Sequence, residues 1–205
     1  LIKCSNKIFA LIKHDFIKRI WSDGKVRLTV DDKNLEQLGV NAIQGFGVRG
    51  KDVRVAIIDT GIDQSHSEFE ERVIAKRGNR NPSHWHGTHV AGIVGAADDG
   101  EGMTGIAPKV SLIDAPIVPH RFWYQGEYAD TVDAINWAAD LVSADIINIS
   151  MGWGPWEYDR AGLDPMSKTI NHVVSEGKCV VVIAAGNSSE QYDQGVATEH
   201  PEQGK

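Results

Sequence analysis

Val53-Arg54-Val55-Ala56-Ile57-Ile58-Asp59-Thr60-Gly61 is a run of apolar residues that stops at an acid, a hydroxyl and a glycine. A near-continuous apolar strand expects cover on both faces, which is the situation of a parallel sheet between layers of helix. Similar runs recur at 110–117, 146–149 and 179–184. Helical spacing reads between them at 88–97, 130–141 and 166–176. Over 130–141, Val132, Ile135, Trp137, Ala138 and Leu141 fall mostly on one face. Leu35, Leu38 and Ile43 predict one short helix over 34–43. The pattern gives an α/β fold: three layers, a mostly parallel sheet with helices on both faces. Sites in such sheets lie at the carboxyl ends of the strands. Asp59, Ser150 and Asn187 each fall at or just past such an end.

Length and composition narrow the classes of function. The chain has 205 residues, 41% of them hydrophobic, enough for one sizeable core. It carries 28 acidic and 21 basic residues, a net charge of −7, which argues against a nucleic-acid surface. No apolar run approaches the ~20 residues of a membrane span. Cys4 and Cys179 do not make a disulfide framework, and Cys179 opens an apolar run, where a buried free thiol is expected. Gly45-Phe46-Gly47-Val48-Arg49-Gly50 matches a dinucleotide fingerprint, but it precedes its strand. A phosphate there would have no helix N-terminus to rest on, so the stretch reads as a surface loop and an oxidoreductase ranks low.

Three residues carry a possible chemistry. Taken alone, Asp59 reads as a turn cap, because Asp-x-Gly often follows strands. Its meaning changes beside His86-Gly87-Thr88-His89-Val90-Ala91-Gly92, a histidine opening a stretch of small residues. An acid can hold one imidazole nitrogen, fix the tautomer and leave the other nitrogen as a general base. His84, His86 and His89 could also be metal ligands, yet their spacing of two and three, without an acid in the run, departs from the usual zinc pattern. His84 is expected to be exposed, His89 to be buried and hydrogen-bonded, and Asp63 to support a turn. Asn187, after Ala184-Ala185-Gly186, is either a polar turn residue or an amide donor to an oxyanion.

These motifs resemble those of the subtilisin-like serine proteases, the subtilases, from about Gly50 to Asn187. Asp59-Thr60-Gly61-Ile62-Asp63 resembles the family's aspartate motif and His86 to Gly92 its histidine motif. Ser150-Met151-Gly152 stands where the family has a substrate-lining segment, and Ala185-Gly186-Asn187 resembles its oxyanion motif. All four occur in the family's order. The resemblance implies a serine endopeptidase with Asp59 as orienter, His86 as base and Asn187 as oxyanion donor. Its polypeptide substrate would lie as an added strand between Gln125-Gly126-Glu127 and Ser150-Met151-Gly152. The family's Gly-Thr-Ser-Met-Ala motif does not occur here. The expectation is therefore a catalytic domain truncated at its C-terminus, with the serine outside the chain and the fragment inactive by itself. Ser150 lacks the nucleophile's context.

Further expectations follow from the resemblance. Residues 1–30 mix apolar and basic residues and read either as an N-terminal hairpin or as the end of a propeptide, an inhibitor-like partner of the domain; the second is favoured, with 31–205 as the catalytic part. Glu68 and Asp99, with the loop 97–103, stand where the family holds a structural calcium ion. A solvated acidic loop fits those residues equally well. Family habit implies secretion or the cell envelope. A non-catalytic relative that keeps the peptide cleft is the alternative function.

Overall fold

The computed structural model describes residues 32–69, 71–117, 128–151 and 164–184. Gln125, Gly126, Glu127, Gly152 and Asn187 lie outside the described residues, as does the expected propeptide segment 1–30. Among the described residues, five strands form one parallel sheet: β1 (Arg54–Asp59), β2 (Val73–Lys76), β3 (Ser111–Pro116), β4 (Ile146–Ile149) and β5 (Val180–Ile183). Their spatial order is β2-β3-β1-β4-β5. β1 is central, paired from Arg54↔Ser111 to Asp59↔Pro116 on one side and from Val55↔Ile146 to Ile58↔Ile149 on the other. The chain builds outward from β1 first toward β2 and then toward β5. Strand order thus reverses at β1, and in open sheets binding sites form at the carboxyl ends of strands at such a point. Asp59 is the last residue of that strand.

The helices are α1 (Asp32–Gln37), α2 (Val40–Gly45), α3 (Trp85–Gly95), α4 (Tyr128–Asn136) and α5 (Pro165–Ser175). A 3-10 turn at Ser67–Phe69 and a π turn at Trp137–Leu141 complete the described elements. Alternation along β1 divides the core into two layers. Ala56 and Ile58 pack with Ala134, Ile135 and Ala138 of the α4 region and with Met166 and Val173 of α5. Val55 and Ile57 face the other way, against Phe69 and Ala91 of α3. Helices therefore cover both faces, as the apolar strands imply.

Several boundaries differ from the sequence reading. The single helix over 34–43 is two short ones, because Gly39 takes a left-handed conformation (φ 71°) between them. β2 was not anticipated; it is a four-residue edge strand with only partial burial. The helix over 130–141 changes to a π turn after Asn136, and Leu141 is turned out to 75% exposure instead of joining the apolar face. β5 is the described edge on the other side, and Val180, Val182 and Ile183 are exposed there. Among the described residues no further strand pairs with β5. Cys179 is a buried free thiol, and burial raises its pKa.

Candidate active site

Strand parity brings the first two site residues together. Asp59 has the parity of Val55 and Ile57, so its side chain faces the α3 layer. His86 is the second residue of α3. His86 Nδ1 lies 2.8 Å from Asp59 Oδ1 and 3.0 Å from Oδ2. The Asp59 carboxylate is fully buried, and the His86 side chain is 37% exposed. An acceptor-only carboxylate facing Nδ1 places the proton on Nδ1. The imidazole thus meets solvent while its orienter does not, which is the arrangement a general base requires.

Two devices hold the approach. The first is small residues: Gly87, Ala91, Gly92 and Gly95 are the buried positions of α3. A Cβ on Gly87 would stand 2.6 Å from the Gly61 carbonyl oxygen and 3.1 Å from Asp59 Oδ1. Gly61 itself has φ 101° and passes Pro82 so closely that a Cβ would lie 2.9 Å from its Cα. The second device is a set of hydrogen bonds around the strand end. Thr60 N–H donates to Asp59 Oδ1 at 2.7 Å. Thr60 Oγ1 accepts from Gly87 N–H at 2.8 Å and donates to the His84 carbonyl at 2.9 Å. The threonine of the aspartate motif therefore ties β1 to the first turn of α3.

The structure corrects two histidine expectations. His84 is half-buried and caps α3: its Nδ1 accepts the His86 N–H at 3.2 Å. His89 is half-buried instead of buried, and its ring meets Trp85 edge-on at 5.8 Å between centroids. Both line a cavity of about 1080 Å³ with Phe69, Pro82, Trp85 and Met103. Neither Asp59 nor His86 lines that cavity, so it lies beside the pair and does not contain it. Asp63 supports its turn, accepting from Ser65 N–H at 3.0 Å and Ser65 Oγ–H at 2.6 Å.

A residue that the sequence reading missed is Asp114. Its fully buried Oδ1 accepts from Ile62 N–H at 3.0 Å, and Oδ2 accepts from Gln64 Nε2 at 3.2 Å. Lys76 Nζ stands 3.6 Å from Oδ2. Asp114 thereby holds the loop that follows Asp59. Burial raises its pKa against the pull of those partners. Nothing local in an apolar strand signals this role, because the partners come from other segments.

Ser150 Oγ accepts from Asn148 Nδ2 at 2.8 Å just past β4, and the partly buried Met151 packs on the core. Glu68 is buried; its Oε2 accepts from Ala97 N–H at 2.9 Å. Its Oε1 occupies the space where a Cβ on Gly102 would be, only 2.7 Å away. Asp99 Oδ1 accepts from Glu101 N–H at 2.9 Å within the same loop, while Asp98 pairs with Arg49. Arg72 reaches the carbonyls of Glu68, Gly95 and Pro108 beneath it. Among the described residues no three His, Cys, Asp or Glu side chains converge as a metal cluster. The Glu68 carboxylate thus sits beside Gly102, held by the Ala97 amide and with the Arg72 guanidinium beneath it.

Known proteins carry the same pattern. Residues 50–204 match the family model of the subtilase family, Peptidase S8. Subtilisin DY of Bacillus licheniformis is 35% identical over 156 residues, covering 74% of this chain and 53% of that protein. The major intracellular serine protease of Bacillus subtilis (strain 168) is 32% identical over 154 residues, covering 70% of this chain and 46% of that protein. Fervidolysin of Fervidobacterium pennivorans is 32% identical over 177 residues, 78% of this chain and 24% of its own length. The chain spans about half the length of the first two relatives. With a motif pair that meets at hydrogen-bond distance and a family model that covers three-quarters of its residues, the chain belongs to the subtilase family.

Proposed function

We propose that this chain is part of a subtilisin-like serine endopeptidase, cleaving polypeptides by acyl transfer to a serine and then to water. The observation that carries the reading is the buried Asp59 carboxylate on Nδ1 of a partly exposed His86. In this mechanism His86 accepts the serine hydroxyl proton as the serine oxygen bonds to the scissile carbonyl carbon. Asp59 keeps the ring in the tautomer that leaves Nε2 free and stabilises the imidazolium. The proton then passes from His86 to the departing amine, and water repeats the sequence on the acyl-enzyme. Asn187 is assigned as the amide donor to the oxyanion. The peptide runs between Gln125-Gly126-Glu127 and Ser150-Met151-Gly152, its backbone adding a strand.

The serine belongs to polypeptide outside these 205 residues, since the motif Gly-Thr-Ser-Met-Ala is absent from them. The chain alone accordingly hydrolyses nothing. Residues 1–30 are assigned to the end of a propeptide. Glu68 and Asp99, with carbonyls of the 97–103 loop, would hold a calcium ion, which when bound joins that loop to the turn after β1. Secretion or the cell envelope is the compartment that family habit supports. The intracellular relative names the other possibility, and cell fractionation separates them.

A fluorophosphonate probe, which labels activated serines, tests the reading. The 205-residue chain stays unlabelled, and a longer chain carrying the serine motif is labelled and cleaves casein. A longer chain that keeps the serine motif, folds and does neither would leave the alternative, a non-catalytic module that retains the peptide cleft.

A further inference from the structure

We infer that His84 is a positioning residue for His86, a neutral imidazole acting as the N-cap of α3 and holding the backbone from which the base projects. The inference rests on the reading of His86 as the base. α3 has eleven residues, and its N-cap is His84 with extended backbone (φ −157°, ψ 155°). The cap bond is His84 Nδ1 accepting from His86 N–H at 3.2 Å. The next amide, that of Gly87, goes to Thr60 Oγ1 at 2.8 Å, and the same hydroxyl holds the His84 carbonyl at 2.9 Å. Two of the first free amides of the helix are thus satisfied by side chains, one from Thr60 and one from His84.

Histidine is an uncommon cap for a chemical reason. Ser, Thr, Asn and Asp present an oxygen that accepts at neutral and mildly acid pH. An imidazole accepts only when neutral, and here only in the tautomer with bare Nδ1 and the proton on Nε2. A side chain at position 84 without that acceptor leaves the His86 amide without its cap bond, while the Thr60 bonds to Gly87 and His84 do not depend on it.

The surroundings contain other titrating groups. His86 and His89 follow on α3, with Trp85 between them 4.9 Å from His84 and 6.0 Å from His86 by ring centroids. Across the neighbouring cavity stand Asp63, His66 and Glu68. Asp59 faces His86 from β1, and Arg80 lies on the segment leading to His84. Replacing His84 at constant pH isolates the cap bond from these groups.

The test is amide hydrogen exchange by NMR on the 205-residue chain, comparing the parent with His84→Asn and His84→Ala. Amides of Ala56 to Ile58 in β1 serve as the internal measure of folding. At one neutral pH the parent and His84→Asn should protect the His86 amide about fivefold more than His84→Ala does. Equal protection in His84→Ala and the parent overturns the inference, as does failure of His84→Asn to protect this amide more than His84→Ala. If His84→Ala loses β1 protection, His84→Phe, a ring without an acceptor, takes its place in the comparison. The readout involves no catalysis, so failure here is distinct from failure of the protease reading.

Discussion

Replacing Gly87 by alanine probes the contact that joins the two catalytic motifs. Gly87 is a helix residue next to His86, and its Cα faces the Gly61 peptide and the Asp59 carboxylate. The new methyl would start 2.6 Å from the Gly61 oxygen. Ordinary contact needs roughly 3.5 Å, so α3 and the Gly61 turn must separate by roughly 0.9 Å. Gly61 has little room to retreat, because Pro82 lies behind it. If α3 moves instead, the 2.8 Å bond between His86 and Asp59 opens to roughly 3.7 Å, beyond hydrogen-bond range. Overpacking of this kind costs about 1–3 kcal/mol, and the better helix propensity of alanine returns ~1 kcal/mol at most. The net expectation is a destabilisation of about 1–2 kcal/mol with the pair broken. Urea unfolding reads the first effect, and the low-field proton resonance of His86 Nδ1 reads the second. A Gly87→Ala protein of parental stability that keeps this resonance would refute the packing argument.

Other expectations are independent of that one. In a chain that carries the serine motif, Asp59→Asn and His86→Ala should each lower kcat by ~10³-fold or more with KM nearly unchanged, and the double variant should lose little beyond either single one. Burial lifts the folded-state pKa of Asp114 above its unfolded value, so the unfolded chain ionises first as pH rises and the folded state is penalised through that window and above it. Asp114→Asn should therefore remove a fall in stability that the parent shows as pH rises through the carboxylate range, read by urea unfolding at several pH values. An unchanged pH dependence in the variant would show that burial of Asp114 does not set it. Calcium should raise the thermal midpoint of the chain relative to chelator, and Glu68→Gln should reduce that difference; equal midpoints in the parent would remove the ion.

Much of the architecture was legible because burial on both faces leaves a mark in sequence. The runs around Ile57, Ile113, Ile147 and Val181 name four strands, and their lack of alternation names a parallel sheet. β2 escaped notice because an edge strand needs only partial burial, and Val73–Lys76 carries no such run. The break at Gly39 and the π turn after Asn136 also escaped, since a periodicity summed over a window does not register one residue's backbone angle.

The candidate site divides the same way. Sequence by itself determined the residue types and the order of the motifs. It placed Asp59 at a strand end and His86 at a helix start, because strand parity, helix composition and motif spacing are local properties. Only the tertiary structure decided how these parts meet. Strand order reverses at β1, which sets Asp59 at the switch point of the sheet. Gly87 lets α3 come down onto the Gly61 turn, and Thr60 ties that turn to the helix. His84 turned from an expected surface residue into a helix cap, and Asp114 became the buried support of the loop beyond Asp59. The role of Asp114 depends on a hydrogen bond to a group 52 positions away and that of Thr60 on one 27 positions away, which no window of sequence contains, whereas the His84 cap is a bond between near neighbours. A buried polar group takes its meaning from whichever partner the fold brings to it, and that partner is chosen by the packing of whole layers.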